Sequence, residues 1–108
     1  MPALTIDGKT MGDSIAILHY LELTRPTPPL VPIDTMDMIR MWQISNIITS
    51  FIQPLHKVEL LERIGELGGD SQEWAREYIH KGLSAIGSII DDTNAKYCIG
   101  NKLSIADI

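Results

Sequence analysis

Asp13 and Ser14 sit in the stretch DGKTMGDSIAILHYLE, directly ahead of an apolar helical run. Side-chain oxygens of these types accept bonds from the N–H groups at a helix start that have no intrahelical partner. A closed capping box would need Glu or Gln three residues after the cap, and Ala16 and Ile17 stand there instead. Donors left free at the positive end of a helix dipole suit an anion. The pair can therefore start a helix, hold a ligand, or do both. Asn46, Thr49, Ser50 and Gln53 form a polar, uncharged stripe that ends at Pro54. It reads either as a solvated face beside a proline kink or as the open lining of a site.

Other reactive residue types lead to structural roles. His19, His56 and His80 are scattered, and the His56–Glu59 pair has helical ligand spacing but supplies only two ligands. No metal site is expected. Cys98 lies in a short apolar run and suits a small buried residue better than a nucleophile, so no catalytic residue is assigned. Trp42, Trp74 and the methionines from Met36 to Met41 read as packing or interface residues. Glu59, Glu62, Arg63 and Glu66 read as a solvated face.

Several elements must carry these residues. ALTIDGKTM predicts a hairpin, with Leu4 and Ile6 alternating and Asp7-Gly8 as the turn. Ile15, Leu18 and Leu21, flanked by Ile17, predict a helix fading near Thr24. RPTPPLVP follows with four prolines in eight residues, an extended linker over Arg25 to Ile33. Asp34 and Asp37 then announce a long helix with the stripe Met41, Ile44, Ile48, Phe51 or Ile52, and Leu55. Pro54 should bend it, and Val58, Leu61 and Ile64 carry it on to Gly68-Gly69. Asp70 and Glu73 open a further helix with an inner face of Trp74 or Ala75, Tyr78, Gly82, Ala85 or Ile86, and Ile89, ending at DDTN. In LSIADI, Ser104 and Asp107 form an acidic capping box, and Leu103 and Ile108 occupy the positions of a hydrophobic staple. A helix announced there cannot nucleate in the residues that follow, so the sequence is expected to be a piece of a longer one.

The totals bound the class. The 108 residues give one ordinary domain or parts of two. A net charge of −5 argues against nucleic-acid or anionic-membrane surfaces. No apolar run reaches membrane-span length and no signal-peptide pattern opens the chain. The single cysteine cannot form an internal disulfide, which suits a reducing compartment.

The order MPALTIDG, DSIAILHYLE, RPTPPLVP, IQPLH and YCIGNKLSIADI resembles the zeta-class glutathione transferases, the maleylacetoacetate isomerases, along essentially the whole chain. IQPL separates zeta from other classes, whereas the Ser-x-x-Asp cap fits most of the superfamily. The resemblance implies an α+β fold read as an internal piece. Residues 1–24 would be the C-terminal part of a thioredoxin-like glutathione-binding domain (β-hairpin plus helix), 25–33 the proline-rich linker, and 34–108 the first part of an all-helical C-terminal domain, incomplete here. The family's Ser-Ser-Cys motif, which stabilises the glutathione thiolate, and the buried helix after ADI have no counterpart in this sequence.

By the same resemblance, Asp13 and Ser14 hold the γ-glutamyl end of glutathione, with Asp in place of the usual Gln or Glu. Met1 stands where a backbone pairs with the cysteinyl part, ahead of a cis-proline position at Pro2. Gln53 lines the site from the second domain, while Lys57 to Glu59 depart from the family's Asn-Leu-Ser and carry no role over. The implied activity is glutathione-dependent cis–trans isomerisation of maleylacetoacetate in tyrosine and phenylalanine breakdown, with related chemistry on α-halo acids, in a cytoplasmic homodimer. This chain alone is expected to be inactive. The competing readings are a non-catalytic helical interaction module and a gene-model fragment.

Overall fold

The computed structural model describes residues 2–91 and 95–108. Strands β1 (Ala3–Ile6) and β2 (Lys9–Gly12) pair antiparallel, with Ala3 opposite Gly12 and Ile6 opposite Lys9. Asp7 (φ 53°) and Gly8 (φ 71°) both take the left-handed backbone of a two-residue turn whose twist matches the strands, which explains the Asp-Gly choice. Leu4 and Ile6 are half-buried between exposed neighbours, as their alternation predicts. Helix α1 (Ser14–Thr24) follows at once. The Asp7 carboxylate fastens the hairpin turn to it, accepting bonds from Arg25 Nη2 (2.8 Å) and the Tyr20 hydroxyl (2.8 Å). Those two donors hold the Asp7 carboxyl below the usual range.

The prolines leave residues 25–34 without helix or strand, yet the segment is anchored. The Glu22 carboxylate accepts from the N–H groups of Leu30 (3.1 Å) and Val31 (3.3 Å), and the Leu30 carbonyl accepts from Ile105 N–H (3.0 Å). Sequence reading had no signal for Glu22 in this role, because its partners are backbone groups on a segment of irregular path.

Helix α2 (Thr35–Ile47) starts as expected, with Asp34 Oδ1 accepting from Asp37 N–H at 3.0 Å. The helix then departs from the expected continuous rod. Residues Ile48–Ile52 form a π-helical turn in which Gln53 N–H bonds the Ile48 carbonyl, five residues back, and α3 (Gln53–Leu55) is a single short turn. Pro54 has no N–H for the Ser50 carbonyl, so the ladder is already broken where the helix would have to continue. His56 leaves helical geometry, Lys57 is extended (φ −61°, ψ 142°), and α4 (Val58–Glu66) begins anew.

Helix α5 (Ser71–Asp91) is started by Asp70 Oδ1, which accepts from Gln72 and Glu73 N–H at 3.0 Å. Gly82 and Ile86 are buried and Ala85 is exposed, which resolves the choice of inner face. A Cβ on Gly82 would overlap the Ile52 side chain, so the glycine is what lets α5 approach the π-helical turn. Trp74 Nε1 donates to the Leu55 carbonyl at 3.0 Å, supplying a partner where α3 ends. The expected DDTN loop falls largely on residues 92–94, outside the described residues.

The core joins Met41, Ile44, Ile52 and Ile86 to Ile99, Ile105 and Ala106. Residues Ile105–Asp107 form a 3₁₀ turn closed by the Ser104–Asp107 capping box. The staple is not a buried pair, since Leu103 and Ile108 are 47% and 75% exposed. No described helix is long and apolar enough to cross a membrane.

Candidate functional site

The start of α1 divides its work between two adjacent residues. Asp13 is the cap: its Oδ1 accepts from Ala16 N–H at 3.0 Å and its carbonyl accepts from Ile17 N–H at 3.0 Å. Its backbone sits at φ 71°, a left-handed value unusual for a residue with a side chain. Such a conformation persists where surrounding structure fixes it, often beside ligand clamps. Ser14 is the first helical residue and not a second cap. Its hydroxyl has no hydrogen-bond partner among the described residues.

A cleft of about 540 Å³ opens at this point, lined by Asp13 and Ser14 on one side and by Thr49, Gln53, His56 and Lys57 on the other. The π-helical turn and α3 supply Thr49 and Gln53, and His56 and Lys57, where α3 ends, border the same space. Three of the residues singled out from the sequence, Asp13, Ser14 and Gln53, thus share one cavity although forty positions separate the first from the last. Of the polar stripe, Thr49 joins them, its hydroxyl donating to the Ser45 carbonyl at 3.1 Å. Asn46 and Ser50 are exposed and outside the lining. Met1 and the peptide bond before Pro2 lie outside the described residues, while Pro2 itself borders the cleft.

Sequence reading weighed His56 only as one of two metal ligands and carried no role over to Lys57. They follow Gln53 at the three- and four-residue spacing that keeps side chains on one helical face. That spacing from a residue already singled out is the signal that could have found them.

A second, more apolar hollow of about 330 Å³ adjoins the first through Ser14, Thr49 and Gln53 and is walled by Ile15, Leu18, Ile48, Ile105 and Ile108. An opening with a polar end and an apolar end can orient a ligand that is charged at one end and hydrocarbon at the other. Among the described residues no group of three His, Cys, Asp or Glu side chains is placed to hold a metal. The Cys98 thiol is pushed up to about 11, first by burial and then by the Asp107 carboxylate beside it. A thiol held protonated at neutral pH is a poor nucleophile.

The hairpin-plus-helix unit, the proline segment and the helices behind it reproduce part of the glutathione-transferase fold. A maleylacetoacetate isomerase from Anaeromyxobacter dehalogenans, solved with dicarboxyethyl glutathione and citrate in its active site, superposes with a TM-score of 0.87 at 30% identity over 97% of this chain and 49% of its own. A bacterial maleyl pyruvate isomerase of the zeta class superposes with a TM-score of 0.89 at 27% identity over 98% of this chain and 53% of its own. No protein-family model matches the chain. In sequence it is 43% identical over 108 residues to the maleylacetoacetate isomerase of Rattus norvegicus, which covers 100% of this chain and 49% of that protein. By sequence and fold together, the chain is similar along its whole length to part of the zeta-class glutathione transferases, the maleylacetoacetate isomerases. It spans about half the length of the curated relatives it matches.

Proposed function

We propose that this chain supplies the γ-glutamyl-binding part of a glutathione-dependent cis–trans isomerase of the maleylacetoacetate type, acting in tyrosine and phenylalanine breakdown. The observation that carries the reading is the shared cleft of Asp13, Ser14 and Gln53. The Ser14 hydroxyl, unpartnered among the described residues, and the N–H groups of Ser14 and Ile15 can hold a carboxylate, those of Ala16 and Ile17 being taken by Asp13. Asp13 keeps one carboxylate oxygen free of the cap bond and can attract the neighbouring ammonium. Gln53 can donate or accept from the facing wall, and the apolar hollow suits the carbon skeleton of an unsaturated or α-halo acid. Bound glutathione supplies the thiol whose reversible addition to a conjugated double bond permits rotation about it. Residues 1–24 belong in this reading to a thioredoxin-like domain, 25–33 to the linker and 34–108 to the helical domain. The working protein is a cytoplasmic homodimer.

The thiol-activating Ser-Ser-Cys motif is not among these 108 residues, so the chain by itself is expected to bind without turning over. Two or three charge-assisted bonds contribute about 1.5–3 kcal/mol each at best, against an association cost of about 4 kcal/mol or more. Calorimetric titration of the 108-residue chain with glutathione should therefore give a Kd of about 1 mM or weaker. Replacing Ser14 by Ala should weaken it further. Binding that Ser14→Ala leaves unchanged would overturn the reading.

A further inference from the structure

Asp13 and Ser14 belong to the hairpin-and-α1 part of the chain, whereas Gln53 belongs to the helices behind the proline segment. Whatever holds these two parts against each other therefore sets how far the cleft opens. Among the described residues no hydrogen bond or ion pair runs directly from residues 2–24 to residues 34–108. Leu18 packs on the core, and the exposed His19 ring stacks on Trp42 with 4.5 Å between centroids. The polar tie is indirect, and Glu22 makes it. Its half-buried carboxylate accepts from Leu30 N–H with both oxygens (3.1 and 3.2 Å) and from Val31 N–H with one (3.3 Å). Leu30 and Val31 pack their side chains against the core of the helical part, and the Leu30 carbonyl holds Ile105. The carboxylate on α1 thus grips backbone whose side chains are committed to the other part. Helix α1 itself gives no reason for an acid here, because the negative end of a helix dipole disfavours a carboxylate in the last turn.

We propose that Glu22 is the positioning residue of the cleft: through the proline segment it fixes α1, and with it Ser14, at the working separation from Gln53. The inference rests on the glutathione reading and deepens it, naming the group that lets both walls hold one ligand. Glu22 lies eight residues beyond Ser14 and outside the cleft lining, about 12 Å along the helix axis, so it acts as a hold on the far end of α1. Two half-buried N–H groups lose their acceptor in Glu22→Ala. Glu22→Gln keeps one side-chain oxygen, and in the structure Oε1 alone reaches both donors.

A cycle of variants of the 108-residue chain, titrated with glutathione and followed by amide NMR, separates positioning from simple loss of stability. Gln53→Ala should weaken glutathione about fivefold in the parent chain. In Glu22→Ala the same change should cost less than about twofold, while Ser14→Ala stays costly, because only the facing wall has been released. In Glu22→Gln the Gln53 effect should return. A purely structural role would lower every affinity alike and leave the Gln53 effect at full size in Glu22→Ala; that result overturns the proposal. If Glu22→Ala loses the helical circular dichroism of the parent, Glu22→Asp, one methylene short, takes its place in the cycle. Residual dipolar couplings read the same hold without any ligand. The orientation of α1 relative to α5 should change in Glu22→Ala and be restored in Glu22→Gln, and an unchanged orientation in Glu22→Ala would also overturn the proposal. If neither Ser14→Ala nor Gln53→Ala affects glutathione in the parent chain, the glutathione reading fails and the couplings alone decide whether Glu22 positions α1.

Discussion

Asp13 holds a backbone that most side chains avoid and also caps α1, so its substitutions separate conformation, capping and charge. Asparagine tolerates the left-handed region and caps as well as aspartate. Asp13→Asn should therefore leave the thermal midpoint nearly unchanged while weakening a ligand that carries an ammonium. Asp13→Ala should cost about 1 kcal/mol for the cap, with further loss from the positive φ, read by urea unfolding. The sequence marked this pair as a helix start because polar side chains precede an apolar periodicity. Which of the two would cap was not legible. The outcome turns on the φ of one residue, and neighbouring Asp and Ser both suit the cap. Met1 was singled out by resemblance alone, and nothing in the described residues bears on it.

Among the elements, the start signals were readable because they are local. Asp34 and Asp70 accept from the N–H groups their spacing predicts. The break between α3 and α4 was not readable, since Leu55, Val58 and Leu61 continue the apolar spacing across it. Periodicity records which side a residue faces and is blind to a carbonyl that has lost its donor. The approach of α5 to the π-helical turn gives a paired prediction. Gly82→Ala should destabilise by about 1–3 kcal/mol through overlap with Ile52. Gly87→Ala, where a Cβ meets nothing within 4 Å, should stabilise by up to about 1 kcal/mol through helix propensity. Equal effects at the two sites would contradict this packing.

The closing turn responds to acid. Partial burial pushes the Asp107 carboxyl up, but the N–H groups of Cys98 (2.8 Å) and Ser104 (2.9 Å) outweigh it and hold it below the usual range. A carboxyl lowered on folding stabilises the fold fully above its unfolded value of about 3.9. That contribution is lost as pH falls through the still lower folded value. The protection of the Ile105 amide, taken relative to its intrinsic exchange rate at each pH, should therefore be steady from neutrality to about pH 4 and fall below it. In Asp107→Asn the acid step should vanish and the turn should be looser at neutral pH.

At the scale of the whole molecule, one cleft gathers residues from three separate stretches of sequence, and the closing turn is stitched to the proline segment through Ile105 and Leu30. Composition and motif order were enough to point to the enzymes the chain is similar to. Of the cleft lining, Asp13, Ser14 and Gln53 were singled out in the sequence, whereas His56 and Lys57 were given no role there although they share the helical spacing of Gln53. The central claim is that the start of α1 receives the γ-glutamyl end of glutathione, with Gln53 facing it. Two-dimensional amide NMR of the 108-residue chain, titrated with glutathione to tens of millimolar, tests this most directly. Saturable shifts are expected to concentrate at Ser14, Ile15 and Gln53 and to be lost in Ser14→Ala. Shifts confined to residues away from this cleft, or unchanged by that substitution, would contradict it.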